Sequence, residues 1–400
     1  MKRTGAILAL HFFALTTAFA QTPAAPVLTA KSWLLLDTTS DYVIAAHEPG
    51  KRIEPASLTK LMTAYLACAA VEKQKIRLDQ MVEVSNRAWK VDRDGSKMFI
   101  EPGKPVSVQD LLHGLIIQSG NDAAVALAEA VSGTEDTFVG EMNRMAKVMG
   151  MVNTRFANSH GLPSPDNYST ARDLSILATH VVQDYPECYK IYSIKTFTYN
   201  KIAQPNRNRL LAPEAGVDGM KTGHTNASGY SLITSATRTG ESGERRLIAI
   251  VLGASTGNAR AQDSQKLLSW GFRNFDTVKL YAGGKAVSMP KVWRGVQEQV
   301  KVGFGEDIVV TLPKGAARKF KPVLELNNPL RAPIAAGSKL GQMNLMLDNV
   351  VVATRPIVAL EKVDEAGFFT RSSDNAWLWI SQKFQGEQKT VIATPLPLSP

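Results

Sequence analysis

Phe275 divides this chain into two stretches of different pattern, and that division limits the folds open to it more than any other feature. Before it, apolar residues recur at helical spacing in several long runs, with short β-branched runs among them. After it come short β-like runs punctuated by Gly and Pro, at 299–304, 308–312, 323–326, 341–347, 350–353 and 357–360. Such runs predict a separate small all-β domain, so the whole reads as α+β with two cores. At 400 residues the chain is long enough for both.

The ends of the chain read differently. Lys2 and Arg3, an apolar run at 6–13 and Ala18-Phe19-Ala20 make residues 1–20 a secretory signal peptide. Its removal lowers the formal charge from +10 to +8, still basic. That balance suits anionic lipid or carboxylate-bearing substrates, and no nucleic-acid-binding motif accompanies it. No later run is long enough to span a bilayer. With only Cys68 and Cys188, the chain is not a disulfide-built scaffold; export would allow the two to join, but the expectation is two buried free thiols.

In the first domain, 21–275, apolar runs at 33–36 and 42–46 flank 37–41 as a hairpin that delivers the chain to Pro55-Ala56-Ser57-Leu58-Thr59-Lys60. Leu58, Leu61, Met62, Tyr65, Leu66 and Ala69 then recur on one helical face, so a helix opens at or beside Ser57. A hydroxyl there sits among unpaired N–H groups, with Lys60 three residues on stacked on the same side. As an ordinary cap Ser57 is poorly supported, since a capping box wants Glu or Gln at Lys60 and a first-turn cation opposes the helix dipole. Further helices are predicted at 108–117, 123–131, 138–149, 171–182 and 260–272, and a hairpin at 230–237 with 246–252.

Ser-x-x-Lys alone is weak. Ser288-Met289-Pro290-Lys291 matches too, yet its internal proline does not suit a helix start. Ser119-Gly120-Asn121 alone would be a turn between helices, and Lys221-Thr222-Gly223 a strand end. Each tripeptide is expected by chance in about one chain in ten, so the three in this order and context carry the weight. Ser57 needs a base to take its proton, and Lys60 is the nearest candidate; it serves only when neutral, which burial and a neighbouring cation both favour.

The ordered set resembles that of penicillin-binding proteins and one class of β-lactamase, with Gly120 where those have Asp. With His160-Gly161-Leu162, Asn206-Arg207-Asn208, His224-Thr225 and Trp270-Gly271-Phe272, the chain as far as Phe384 is similar to low-molecular-mass penicillin-binding proteins, the serine-type D-alanyl-D-alanine carboxypeptidases. That resemblance implies an antiparallel sheet flanked by helices for the first domain and a β-sandwich at 276–365. It implies catalytic roles for Ser57, Lys60, Ser119, Asn121 and Lys221. Lys221 would be the cation beside Lys60, Ser119 would pass a proton toward the leaving amine, and Asn121 would orient substrate and Lys60. The backbone N–H groups of Ser57 and His224 would stabilise the oxyanion, Gly223 would let substrate approach, and Arg260 with Thr222 would hold a free carboxylate. No cofactor or metal is implied.

The implied substrate is the peptidoglycan stem pentapeptide, losing its terminal D-alanine, with β-lactams as covalent inhibitors. A class A β-lactamase would need Glu-x-x-Leu-Asn between Asn121 and Lys221, and none occurs there. A D,D-endopeptidase acting on cross-links and a non-catalytic peptidoglycan-binding scaffold are the alternatives. Finally, Phe369, Ser373, Ala376, Trp377, Ile380 and Phe384, with Trp379 beside them, recur at helical spacing within 366–385, and Arg371, Asp374 and Lys383 are available for the polar side. That pattern predicts an interfacial helix on the periplasmic face of the inner membrane, followed by a disordered tail at 386–400.

Overall fold

A computed structural model describes residues 23–91, 95–211, 216–240, 243–347, 349–385 and 390–393. The expected signal peptide lies outside the described residues. The chain forms two compact units, Ala25–Tyr281 with Asp307–Lys314, and Ala282–Glu306 with Gly315–Pro400.

The first unit is built on a five-stranded antiparallel sheet: β1 (Ser32–Asp37), β2 (Tyr42–His47), β3 (Val217–Thr225), β4 (Gly229–Gly240) and β5 (Gly243–Ala254). Their spatial order is β2-β1-β5-β4-β3, which leaves β3 on an edge. The central strands read as near-continuous apolar runs, as strands buried on both faces must, and all six residues of β1 are buried. On one face lie α1 (Lys60–Glu72), α2 (Val108–His113), α3 (Asn121–Ser132), α4 (Glu135–Val148) and α5 (Ala171–Asp184), whose apolar side chains share one core with Leu34, Ile233 and Ile250. On the other, α6 (Gly257–Asn274) packs Leu267 and Leu268 against Leu35, Leu247 and Ala249. A Cβ at Gly271 would lie 2.6 Å from Leu35 Cδ2 and 2.9 Å from Leu247 Cδ1, so a larger residue there would have to push both leucine tips aside for the helix to settle on the sheet.

Three expectations need correction here. Helix α1 is not one-faced: every residue from Lys60 to Ala70 is buried, so the spacing of its large side chains marks a central helix with alanines filling the other sides. Cys68 of α1 and Cys188 are joined in a disulfide, with Cα atoms 6.2 Å apart, because the turn Pro186–Tyr189 folds back from the end of α5 onto α1. The unit also extends past residue 275. Strand β6 (Phe275–Tyr281) pairs with β7 (Ile308–Pro313), and Thr277 and Thr311 both donate to Asp37, whose buried carboxylate also holds Arg245 at 2.7 Å.

The second unit carries a six-stranded antiparallel sheet and a short parallel pair, Val292–Trp293 with Leu330–Arg331. Its long strands are β8 (Phe320–Leu326), β9 (Lys339–Leu347) and β10 (Val350–Ala359). Alternate residues of β8 are buried, the period of a sheet with one face on a core. Short strands at Ala286–Ser288 and Val302–Gly303 extend the sheet beyond β10. At the other edge Thr390–Ala393 pairs with β8, so this part of the expected disordered tail is a strand, β11; residues 386–389 and 394–400 lie outside the described ones.

Helix α7 (Phe368–Gln385) occupies the predicted interfacial segment. Phe368, Phe369, Trp377 and Trp379 are exposed, whereas Leu378 is buried. Asp374 accepts the Arg294 backbone N–H at 2.5 Å and Arg371 pairs with Glu365 at 3.1 Å, so polar contacts dock this helix. The side chains of Ile380, Lys383 and Phe384 lie outside the described residues. No helix among those described is long and apolar enough to cross a membrane.

Candidate active site

Ser57 does not open the α-helix itself. It stands in a 3-10 turn, Ala56–Thr59, that runs straight into α1, and Ala56 before it holds a left-handed φ of 49°. A non-glycine residue in that region stores backbone strain, which the surrounding contacts must hold. Those contacts come from three sides. Ile53 and Ser169 exchange both backbone hydrogen bonds, Glu54 accepts the Thr225 hydroxyl at 2.9 Å, and a Cβ at Gly223 would lie 2.9 Å from the Pro55 carbonyl oxygen. Gly223 therefore serves the close packing of β3 on the 55–58 turn.

Lys60 reaches back beneath Ser57. Its Nζ donates to Ser57 Oγ at 3.1 Å, Asn121 Oδ1 at 2.7 Å and the His160 carbonyl at 2.5 Å, and the residue is 1% exposed. Asn121 comes from the first turn of α3. Helix α2 continues into a π-helical turn, Gly114–Gln118, and ends on Ser119 in the left-handed conformation, φ 69°. This turns the chain so sharply that α3 begins at Asn121, with its N–H on the Ser96 carbonyl at 2.7 Å. The buried Ser119 hydroxyl has no hydrogen-bond partner among the described residues, which is costly unless a ligand or water supplies one.

Lys221 lies 2% exposed on β3 and donates to the Thr222 carbonyl at 3.3 Å. Its ammonium is held well below the usual lysine range, first by burial, then by the positive charges of Lys60, Arg207 and Arg260. Arg260, on the first turn of α6, donates to the carbonyls of Gly223 at 3.1 Å and Ser231 at 3.3 Å and lies over the Tyr230 ring. Burial and then Arg209 push it down to about 10, so it remains a cation at neutral pH.

A cleft of about 530 Å³ is lined by Ser57, Ser119, Thr222, Gly223, His224 and Arg260 together. Lys60, Asn121 and Lys221 are buried behind this lining, Lys60 bonded to Ser57 and Asn121 and close enough to Lys221 for their charges to interact. The His224 side chain is exposed, its ring stacked on Tyr230 at 4.0 Å. Ser96, Gln118, Arg207, Arg209 and Tyr230 also line the cleft, although the motifs did not point to them as site residues. The only trace in the sequence is the repeated Asn-Arg of 206–209, where Asn206 and Asn208 fix the turn through carbonyls of Ile194 and Gly219 and Arg207 donates to Gln118. The decoy Ser288 to Lys291 lies in the other unit, with Lys291 4.0 Å above the Trp293 ring.

This is the arrangement of an acyl-transfer site: a hydroxyl nucleophile, a buried amine within hydrogen-bond reach, and cations at one end. Known proteins are similar to this chain in sequence and fold. The family model described as D-alanyl-D-alanine carboxypeptidase matches residues 19–256, and that described as penicillin-binding protein 5, C-terminal domain, matches 275–365. The D-alanyl-D-alanine carboxypeptidase DacC of Escherichia coli is 43% identical over 384 residues, covering 94% of each chain. A crystal structure of penicillin binding protein 5 from Haemophilus influenzae superposes with a TM-score of 0.82 at 43% identity, over 86% of this chain and 99% of that one. Penicillin-binding protein D2 from Listeria monocytogenes, solved in its ampicillin-bound form, is 32% identical with a TM-score of 0.55, over 61% of this chain and 98% of that one. On its sequence, its fold and the contents of its cleft, the chain belongs to the D-alanyl-D-alanine carboxypeptidase family.

Proposed function

We propose that this protein removes the terminal D-alanine from peptidoglycan pentapeptide through an acyl-enzyme on Ser57, and that β-lactams acylate the same oxygen. The observation that carries the reading is the buried Lys60 amine, which bridges Ser57, Asn121 and the His160 carbonyl at one end of the cleft. With Lys60 neutral, its Nζ takes the Ser57 proton as Oγ attacks the carbonyl carbon of the scissile bond. Negative charge then develops on the carbonyl oxygen, between the backbone N–H groups of Ser57 and His224. Ser119, whose hydroxyl lacks a partner among the described residues, passes a proton to the leaving amine, and water hydrolyses the ester.

The terminal carboxylate is read by Arg260 with Thr222. Arg207 and Arg209 stand in the same cleft, and this excess of guanidinium groups favours a free carboxylate over the amide of a cross-link. The enzyme acts outside the cytoplasm, and α7 lays its exposed Phe369, Trp377 and Trp379 on the outer surface of the inner membrane. The test is a release assay on a pentapeptide and on a cross-linked dimer alongside labelled penicillin. D-Alanine released from the pentapeptide much faster than the dimer is cut supports the reading; the reverse preference makes the protein an endopeptidase, and label without either product removes the hydrolytic function.

A further inference from the structure

Outside the cleft, one buried carboxylate is tied to the lysine beneath Ser57 through a single turn of chain. Glu135 is the first residue of α4, after the cap Thr134, where an acid ordinarily faces solvent and answers the helix dipole. Here it is 3% exposed and points inward. One oxygen accepts the Ser159 N–H at 3.0 Å and the Ser159 hydroxyl at 2.7 Å, and faces His160 Nε2 at 3.5 Å. The other accepts Arg87 Nη2 at 2.5 Å and Nε at 3.0 Å, under a guanidinium that is 61% exposed. His160 Nδ1 accepts the Leu162 N–H, which leaves the ring proton on Nε2 toward Glu135. Burial would raise this carboxyl, but the Ser159 donors, His160 and Arg87 outweigh it and hold it below the usual glutamate range.

The turn so gripped spends its carbonyls on α1. Ser159 accepts the Thr63 hydroxyl at 2.5 Å, and His160 accepts Lys60 Nζ at 2.5 Å. Gly161 follows at φ +87°, where a Cβ would fall 1.9 Å from the Ala56 carbonyl oxygen, so the turn is pressed against the residue before Ser57 without slack. Glu135 and His160 line a surface recess with Arg87 and Lys90 that shares no residue with the Ser57 cleft, so the carboxylate does not touch substrate.

We propose that Glu135 is a positioning residue for acylation: by fixing the Ser159–His160 turn it holds the carbonyl that aims Lys60 at Ser57. The inference rests on the Ser57 acyl-enzyme reading given above. Without the carboxylate, the Ser159 N–H, the Ser159 hydroxyl and His160 Nε2 lose a shared buried acceptor, and the turn shifts to find others. Lys60 then loses the His160 carbonyl, one of the acceptors that orient it beside Ser57 and Asn121, while the residues that grip substrate stay in place.

The test is the saturating acylation rate constant and half-saturation concentration for labelled penicillin in the wild type, Glu135→Ala, Glu135→Gln and Ser159→Ala. Glu135→Ala is expected to slow acylation tenfold or more on the order-of-magnitude scale while half-saturation stays within about twofold. Glu135→Gln keeps an oxygen for both Ser159 donors and should recover to within about threefold of wild type. Should thermal melting show Glu135→Ala unfolded, Ser159→Ala carries the test, with an expected loss of about threefold at unchanged half-saturation. A wild-type rate in Glu135→Ala, or in Ser159→Ala where that variant decides, overturns the inference, as does a loss that glutamine fails to relieve. Wild type that takes no label at Ser57 overturns it together with the functional reading, whereas labelled wild type with an unaffected variant removes the inference alone.

Discussion

Helix α1 carries Lys60 at 1% exposure among apolar side chains, whereas α7 carries Phe369 at 88% and Trp377 and Trp379 at 64% and 65%. Both depart from the usual partition of residues between interior and surface, in opposite directions. A buried amine costs desolvation, which falls when it is neutral and hydrogen-bonded; that condition also makes it a base. An exposed aromatic cluster costs contact with water and is relieved when the surface is covered. On the function proposed above, the first departure serves chemistry and the second an encounter with a membrane surface, and the two should separate when each is broken.

The largest effect belongs to α1. Lys60→Arg keeps a cation but cannot give up its proton, so acylation by penicillin should fall on the order of a thousandfold with the melting curve still cooperative. Retained acylation would make the buried amine structural. Next is Arg260→Ala, which should cut kcat/KM on a D-alanyl-D-alanine peptide by about 10- to 100-fold and leave an amidated analogue nearly unchanged, since only the former offers a carboxylate. Equal losses on both would remove the clamp.

Lys221 sharpens the comparison through stability. Its folded-state pKa is depressed, so the unfolded chain binds more protons at this site between that lowered value and the ordinary 10.5, and wild-type stability rises with pH across that window. Lys221→Met should abolish turnover yet be more stable by about 1–3 kcal/mol below the window, with the advantage shrinking as pH approaches 10.5. Denaturant melts at several pH values measure it; a variant less stable than wild type throughout contradicts the account. Smallest in its effect on catalysis is removal of 367–400, which should leave acylation within about twofold while moving the protein from the membrane fraction to the soluble one. Full-length protein that is already soluble would break the α7 half of the contrast.

How much of this was legible in the sequence varies by kind of information. Ser57 with Lys60, Ser119 with Asn121 and Lys221 with Gly223 are short-range patterns, and the structure gathers all three around one cleft. The break near Phe275 was visible as a change of period, but not that Thr277 and Thr311 would return to Asp37 of β1, because a buried polar cluster has no periodicity. The disulfide closes a separation of 120 residues, and nothing local to Cys68 or Cys188 announces it. The all-round burial of α1 was masked because alanine reads as neutral filler until neighbours crowd it. Glu135 falls ahead of the helix predicted at 138–149 and carried no signal, since its neighbours Ser159 and His160 arrive from another part of the chain.

The central claim is that the Ser57 oxygen, aimed by a buried Lys60, is the atom that is acylated. Intact-mass spectrometry of the mature protein after benzylpenicillin, followed by peptide mapping, tests it most directly. The account predicts one adduct with the mass of the whole antibiotic, on the peptide carrying Ser57, absent from Ser57→Ala. An adduct on any other residue, or one that survives in Ser57→Ala, would contradict it.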